Sequence, residues 1–363
     1  MTTIQSNKIP VAVLGATGSV GQRFIQLLDG HPWFEVVALT GSERSMGKKY
    51  HEYCHWVLSE PMPDWAKRML ILPSKPELTK VPLAFSALPS NKASEIEPLY
   101  AQAGVAVCTN AGAYRREEDV PILLPEINPD HTALVDSQRQ RRGWSGFIAT
   151  NPNCTTTGVS IVLKVFQELF GVKKAFMVSL QALSGAGYPG VASMDILDNV
   201  IPYIEGEEEK LEWEPLKILG SLNNGILSQA DFQISAHANR VAVSDGHLVC
   251  LSVQFNNPPG EDQIVMAVQD ALSEYKLPEI SSDLPSSPDP VIALSRDKDR
   301  PQPRLDRMTG EGMTTVVGRI RRDPILDIKL AVLSHNTIRG AAGGSIYNAE
   351  LFMKKGYISD SYV

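Results

Sequence analysis

The sequence predicts an α/β chain in two parts, a parallel sheet with helices on its faces followed by a mixed sheet with helices packed on one face. Three observations predict it. The chain has 363 residues and 43% hydrophobic content, enough for two cores of ordinary size. Up to Thr150, short β-branched runs alternate with polar or helical stretches, and strand alternating with helix specifies a parallel sheet. After Asn151 the strand-like runs lengthen, as in a mixed sheet.

In chain order, the first strands are VAVL at 11–14, FEVVAL at 34–39, LAFSAL at 83–88, VAVCTN at 105–110 and GFIAT at 146–150. Between the first two, Val20, Phe24, Leu27 and Leu28 recur at helical spacing until Gly30, His31 and Pro32 end the element. The second part offers AFMVSLQAL at 175–183, HLVCLSVQF at 247–255 and TTVVGRIRR at 314–322, with one clear helix near 261–275. The run IRGAAGGSIYNAELFMKK at 338–355 reads as a helix despite its glycines and is expected to return to the first domain. The expected domains are therefore 1–152 completed by 337–363, and 153–336.

Net charge is −7 without a long basic run, which argues against nucleic acid as a partner. Arg139, Arg141 and Arg142 read as a solvated loop. Four scattered cysteines in a long chain read as thiols in a reducing compartment. MTTIQSNKIP has no apolar signal core and no window has the length of a membrane span, so a soluble cytoplasmic protein is expected.

Gly15, Gly18 and Gly21 follow a strand at the mouth of a helix, where backbone N–H groups and the helix dipole favour an anion. The spacing is G-x-x-G-x-x-G, and a purely conformational turn competes with dinucleotide binding; strand and helix on either side favour a Rossmann-like cofactor domain. The second strand ends in Thr40, after which Ser42, Arg44, Ser45 and Lys48 favour NADP, with Glu43 pointing the other way.

Cys154, in NPNCTTTG, starts a segment whose Val159, Val162, Val165 and Phe166 mark a helix, and a helix start stabilises a thiolate. The competing reading is a buried structural cysteine, expected for Cys108 and Cys250 inside strands. HEYCH at 51–55 fits a zinc-protease pattern, but the surroundings supply no helix to align its histidines, so no metal is expected. Arg240 is a fork suited to a carboxylate or else a surface ion pair; His247 is a proton carrier with an ordinary pKa near 6.5 or else a satisfied strand-start histidine. Glu207 to Glu209 alone read as a solvated acidic face, and Ser184 to Gly187 as a tight turn or a loop that a cofactor approaches.

Taken together, GATGSVGQ at 15–22, TNAGAYRR at 109–116, NPNCTTTG at 151–158, SLQALSGAGYPG at 179–190, GEEEK at 206–210, NRVAVSDGH at 239–247 and NTIRGAAGG at 336–344 resemble the aspartate-β-semialdehyde dehydrogenases, in their archaeal and fungal branch. The resemblance runs over nearly the whole chain. It implies Cys154 as nucleophile, Gln181 as the residue orienting the covalent intermediate and His247 as general acid/base. It implies Arg240 at the substrate carboxylate, Glu207 at its amino group, and Arg115, Asn153 and Lys210 at the phosphate. The implied NADP contacts are Gly15, Thr17, Gly18, Ser19, Val20, Gly21, Thr40, Ser42, Arg44, Ser45, Ser86, Leu88, Ser184, Gly185, Gly187 and Asn336, with Gly41 standing where bacterial relatives often carry serine. The implied reaction is NADP-dependent reduction of aspartyl phosphate to aspartate semialdehyde through a thioester, with backbone N–H groups at the helix start holding the oxyanion, in a homodimer or homotetramer formed through the second domain. A related acyl reductase such as malonyl-CoA reductase is the alternative, and a non-catalytic NADP-binding module ranks last because Cys154 and His247 are both present.

Overall fold

The computed structural model describes residues 8–359, so the first seven residues of the chain and the last four of the expected C-terminal segment lie outside the described residues. Two compact units emerge. Of the described residues, one comprises those up to Pro121, Thr132–Asn151 and those from Ser345 on; the other comprises Ile122–His131 and Pro152–Gly344.

The first unit holds β1 (Ile9–Leu14), β2 (Phe34–Thr40), β3 (Ile71–Leu72), β4 (Leu83–Ser86), β5 (Ala106–Thr109) and β6 (Phe147–Thr150), in the order β3-β2-β1-β4-β5-β6. All pairings are parallel. Every residue of β4, β5 and β6 is buried, which is why these runs read as continuously apolar. Strand order reverses direction at β1 and β4, and a ligand crevice forms beyond the carboxyl ends of strands at such a switch point. Arg139, Arg141 and Arg142 do not form a loop: they occupy the last turn of the Leu134–Arg142 helix. That placement complements the helix dipole, and Arg142 pairs with Asp119 at 2.6 Å.

HEYCH also departs from expectation. Tyr50–Tyr53 is a single helical turn, but Cys54 is extended, so His51 and His55 do not share a helix face. Among the described residues no group of His, Cys, Asp and Glu is arranged to hold a metal ion, and no helix is long and apolar enough to cross a membrane.

The second unit begins with β7 (Val172–Gln181), followed by a small hairpin of β8 (Ser221–Asn223) and β9 (Ile226–Ser228). Then come β10 (Gln233–Arg240), β11 (His247–Phe255), β12 (Ile292–Leu294), β13 (Thr315–Arg322) and β14 (Ile328–Ser334). The large sheet runs β10-β7-β11-β14-β13-β12, parallel at its two ends and antiparallel between. The Cys154–Leu169 and Ile264–Glu274 helices pack on one face over Val159, Val162, Phe166, Met177, Leu251 and Val332. On the other face Phe176 and Cys250 are exposed, so Cys250 is not the buried cysteine its strand setting suggests: alternation along β11 turns it away from the helices.

Residues 122–131 sit in this second unit, contrary to the expected boundary. Ile122, Leu124 and Ile127 enter its core, and the Asn128 amide donates to the carbonyls of Ile122 and Ile218 at 2.9 and 3.2 Å. The run at 338–355 is helical but in two pieces, a π-turn at Ile338–Ala342 and an α-helix at Gly343–Lys354.

Candidate functional site

Asn153 opens the Cys154–Leu169 helix as its N-cap: its backbone is non-helical and its side-chain oxygen accepts from Thr155 and Thr156 N–H at 2.9 and 3.2 Å. Cys154 is thereby the first helical residue. Thr157 N–H is bonded to the Asn153 carbonyl at 3.0 Å. The N–H groups of Thr155, Thr156 and Thr157, at the helix start where the sequence expects an oxyanion to be held, are thus engaged by Asn153.

The sulfur of Cys154 lies 3.1 Å from Nε2 of His247, the first residue of β11. Nδ1 of the same ring accepts the backbone N–H of Ala182 at 3.0 Å, which places the proton of the neutral imidazole on Nε2, facing the sulfur. Burial pushes the His247 pKa down to about 3, helped by the charge of Arg240 and by His335. The ordinary pKa near 6.5 expected from sequence is therefore shifted down, which favours the neutral ring near neutral pH.

Arg240 ends β10 and pairs in register with Gln181 at the end of β7. Its Nη1 donates to the Ala182 carbonyl at 2.7 Å, and burial pulls its pKa below the ordinary range despite Cys154 and Glu207 nearby. A desolvated guanidinium of this kind gains by meeting a carboxylate. Gly185 fits against both groups: a Cβ there would stand 3.0 Å from Arg240 Nη1 and 3.2 Å from the His247 ring. Glu207, at the start of the Glu207–Ile218 helix, accepts from Asn153 Nδ2 at 2.5 Å and Gln181 Nε2 at 3.3 Å, with Lys210 Nζ at 3.5 Å. Glu207 is buried whereas Glu209 is exposed, so the acidic run is not a uniformly solvated face. Ser184 and Asn336 are joined at 2.8 Å, and Asn336 also accepts Gly246 N–H at 2.8 Å.

One constellation in the second unit therefore gathers Asn153, Cys154, Gln181, Glu207, Lys210, Arg240 and His247. Arg115 belongs to the first unit, where it is buried and donates to the Asn110 carbonyl at 2.8 Å. Sequence reasoning missed Glu214, whose carboxylate accepts Asn153 N–H at 2.7 Å, and Gly340, where a Cβ would meet Cys154 Cβ at 2.8 Å. Helical spacing from Glu207 is a signal for the first; nothing local marks the second.

In the first unit Gly15 turns with φ +74°, and a Cβ there would meet the Ala87 carbonyl at 2.9 Å. A Cβ at Gly21 would meet the Gly15 carbonyl at 2.4 Å. Gly18 is the N-cap of the Ser19–Leu27 helix, with no side chain capping it and nothing nearer than 3.6 Å to a Cβ. N–H groups without a side-chain cap at the carboxyl edge of β1 fit a pyrophosphate, so the residues present suit a dinucleotide. Thr17, Ser19 and Val20 lie on this turn and helix start, and Ser86 and Leu88 at the end of β4. Beyond β2, Ser42 and Arg44 are exposed while Ser45 is buried and donates to the Ser42 carbonyl at 2.7 Å. Gly41 makes room for that serine, since a Cβ there would lie 2.4 Å from the Ser45 hydroxyl oxygen. Thr40 is buried and shares a hydrogen bond with Ser74 at 2.7 Å.

Comparison with known proteins fits both units. The semialdehyde dehydrogenase NAD binding domain matches residues 10–135, and the semialdehyde dehydrogenase dimerisation domain matches 163–339. The chain is 50% identical to aspartate-semialdehyde dehydrogenase of Archaeoglobus fulgidus over 95% of its length and 98% of the relative's. It is 46% identical to that of Schizosaccharomyces pombe, over 95% of this chain and 98% of the relative. A crystal structure of aspartate semialdehyde dehydrogenase with NADP from Candida albicans superposes with a TM-score of 0.88 at 43% identity, covering 97% of this chain and 100% of that one. Aspartate semialdehyde dehydrogenase II from Vibrio cholerae, complexed with ASA, gives 0.73 at 25% identity, over 96% and 99% of the two chains. With matching models on both units and relatives this similar along nearly its full length, the chain belongs to the aspartate-semialdehyde dehydrogenase family.

Proposed function

We propose that this protein catalyses the reversible, NADP-dependent reductive dephosphorylation of L-aspartyl 4-phosphate to L-aspartate 4-semialdehyde, a step in the biosynthesis of lysine, threonine and methionine. The observation that carries the reading is the 3.1 Å approach of Cys154 sulfur to His247 Nε2 at a capped helix start, beside a desolvated Arg240. Relatives named for this activity support it.

The Cys154 thiolate attacks the acyl carbon, the C–O bond to phosphate breaks, and a thioester and inorganic phosphate result. Bound NADPH supplies a hydride equivalent to the thioester carbon. The thiohemiacetal oxyanion then re-forms its carbonyl and expels the thiolate, so this sequence needs no net proton at the sulfur. His247 contributes an Nε2–H bond to the sulfur or to the oxygen beside it. Arg240 holds the α-carboxylate, Glu207 the α-amino group, and Gln181 orients the acyl group between them. Asn153, Lys210 and Arg115 serve the phosphate. The glycine turn from Gly15 to Gly21, with Ser86, Leu88, Ser184, Gly185, Gly187 and Asn336, serves NADP. A homodimer or homotetramer, formed through the open sheet face bearing Phe176, and a cytoplasmic location complete the reading.

The test is NADP reduction with aspartate semialdehyde, with and without inorganic phosphate, beside other aldehydes. Phosphate-dependent reduction specific to aspartate semialdehyde is expected; a comparable rate with malonate semialdehyde, or without phosphate, would refute the assignment. A second expected result concerns Arg44: Arg44→Ala should lower the preference for NADP over NAD about tenfold, the scale of one charge-assisted hydrogen bond. The ratio of kcat/KM for the two cofactors measures it, and an unchanged ratio removes Arg44 from the 2′-phosphate site.

A further inference from the structure

The Glu207–Ile218 helix presents two buried carboxylates to one residue. Glu207 and Glu214 are seven positions apart, two turns along the same face, and both are bonded to Asn153. Glu207 takes the side-chain amide, and Glu214, fully buried, accepts the backbone N–H at 2.7 Å. The remaining polar groups of Asn153 are also engaged: its side-chain oxygen by Thr155 and Thr156, and its carbonyl by Thr157. Asn153 therefore cannot turn without breaking bonds at both ends, and Cys154 is the next residue.

We infer that Glu214 is a positioning residue for the nucleophile: its carboxylate pins the Asn153 backbone and so fixes where the Cys154 sulfur stands relative to His247. This inference rests on Cys154 being the nucleophile proposed above. Glu214 acts through the Asn153 backbone N–H, and its use is geometric. A negative charge at this position would oppose a thiolate on the residue after Asn153; the acceptor oxygen is what the site needs. Such an arrangement also divides labour, because Glu207 is relieved of holding the backbone and keeps an oxygen directed at Lys210.

Two conservative variants separate the acceptor from the charge. Glu214→Gln keeps an oxygen at the same reach and removes the charge; Glu214→Asp keeps the charge and withdraws the acceptor by one methylene. The primary readout is the rate of Cys154 alkylation by iodoacetamide across pH, resolved by peptide mass spectrometry, with exposed Cys250 as internal reference. The secondary readout is kcat against the KM for NADP. Glu214→Gln should stay within about threefold of the native protein in both, whereas Glu214→Asp should lose about tenfold or more in Cys154 alkylation and kcat, with the KM for NADP unchanged. The opposite order would show that the charge matters and overturn the inference. Two variants with native alkylation and kcat but a lowered Tm would also overturn it, leaving Glu214 a purely structural contact. Alkylation needs no substrate, so this outcome is independent of whether the proposed reaction is correct.

Discussion

Cys154→Ala is expected to lower kcat by a factor on the order of 10⁴ or more, because the covalent route disappears with the thiol that stands beside His247. NADPH affinity should stay within about twofold, since the thiol acts on the substrate whereas the Gly15 to Gly21 turn holds the cofactor. Cys154→Ser should be nearly as inactive: the hydroxyl is a poorer nucleophile, and His247, with Nδ1 already accepting from Ala182, presents it a donor and not a base. Steady-state rates in both directions with fluorescence titration of NADPH measure these effects. Turnover within tenfold of native in Cys154→Ala would end the thioester mechanism.

His247→Leu should cost about 10²–10³ in kcat, the scale of removing one preorganised donor to developing negative charge. The pH dependence of the native enzyme provides a sharper check. With its pKa pushed down to about 3, the ring stays neutral from pH 8 to 5, so kcat/KM should show no limb from its titration near 6.5. An acid limb near 6.5 that vanishes in His247→Leu would refute the neutral-donor role. The same shift makes a stability statement. The folded pKa lies below the ordinary value near 6.5, so on acidification the unfolded chain takes up a proton before the native one does. The favourable contribution of the neutral ring is fully present above about pH 6.5 and is lost as pH falls toward 3. His247→Leu should accordingly flatten the fall of Tm across that window.

The sequence by itself determined the features that depend on neighbours along the chain. The strands of the first sheet are apolar runs bounded by turn residues, because burial on both faces demands continuous apolarity, and β11 at His247–Phe255 was bounded to the residue. Gly15 to Gly21 betrayed the cofactor turn because a strand-to-helix junction with close backbone approach needs glycine. Cys154 stood out because a helix start is written in a cap and a period. Tertiary structure alone decided what depends on contacts distant along the chain. Cys154 and His247 are 93 residues apart, and Glu214 and Asn153 are 61 apart, so neither pairing leaves a local pattern. The neutrality of His247 follows from burial and from an N–H of another strand's end, neither of which composition carries. Cys250 is exposed because the helices cover only the opposite sheet face, and residues 122–131 joined the second core because Asn128 reaches Ile218. Propensity and spacing are local quantities, whereas desolvation, tautomer and register between distant strands exist only once the chain is folded.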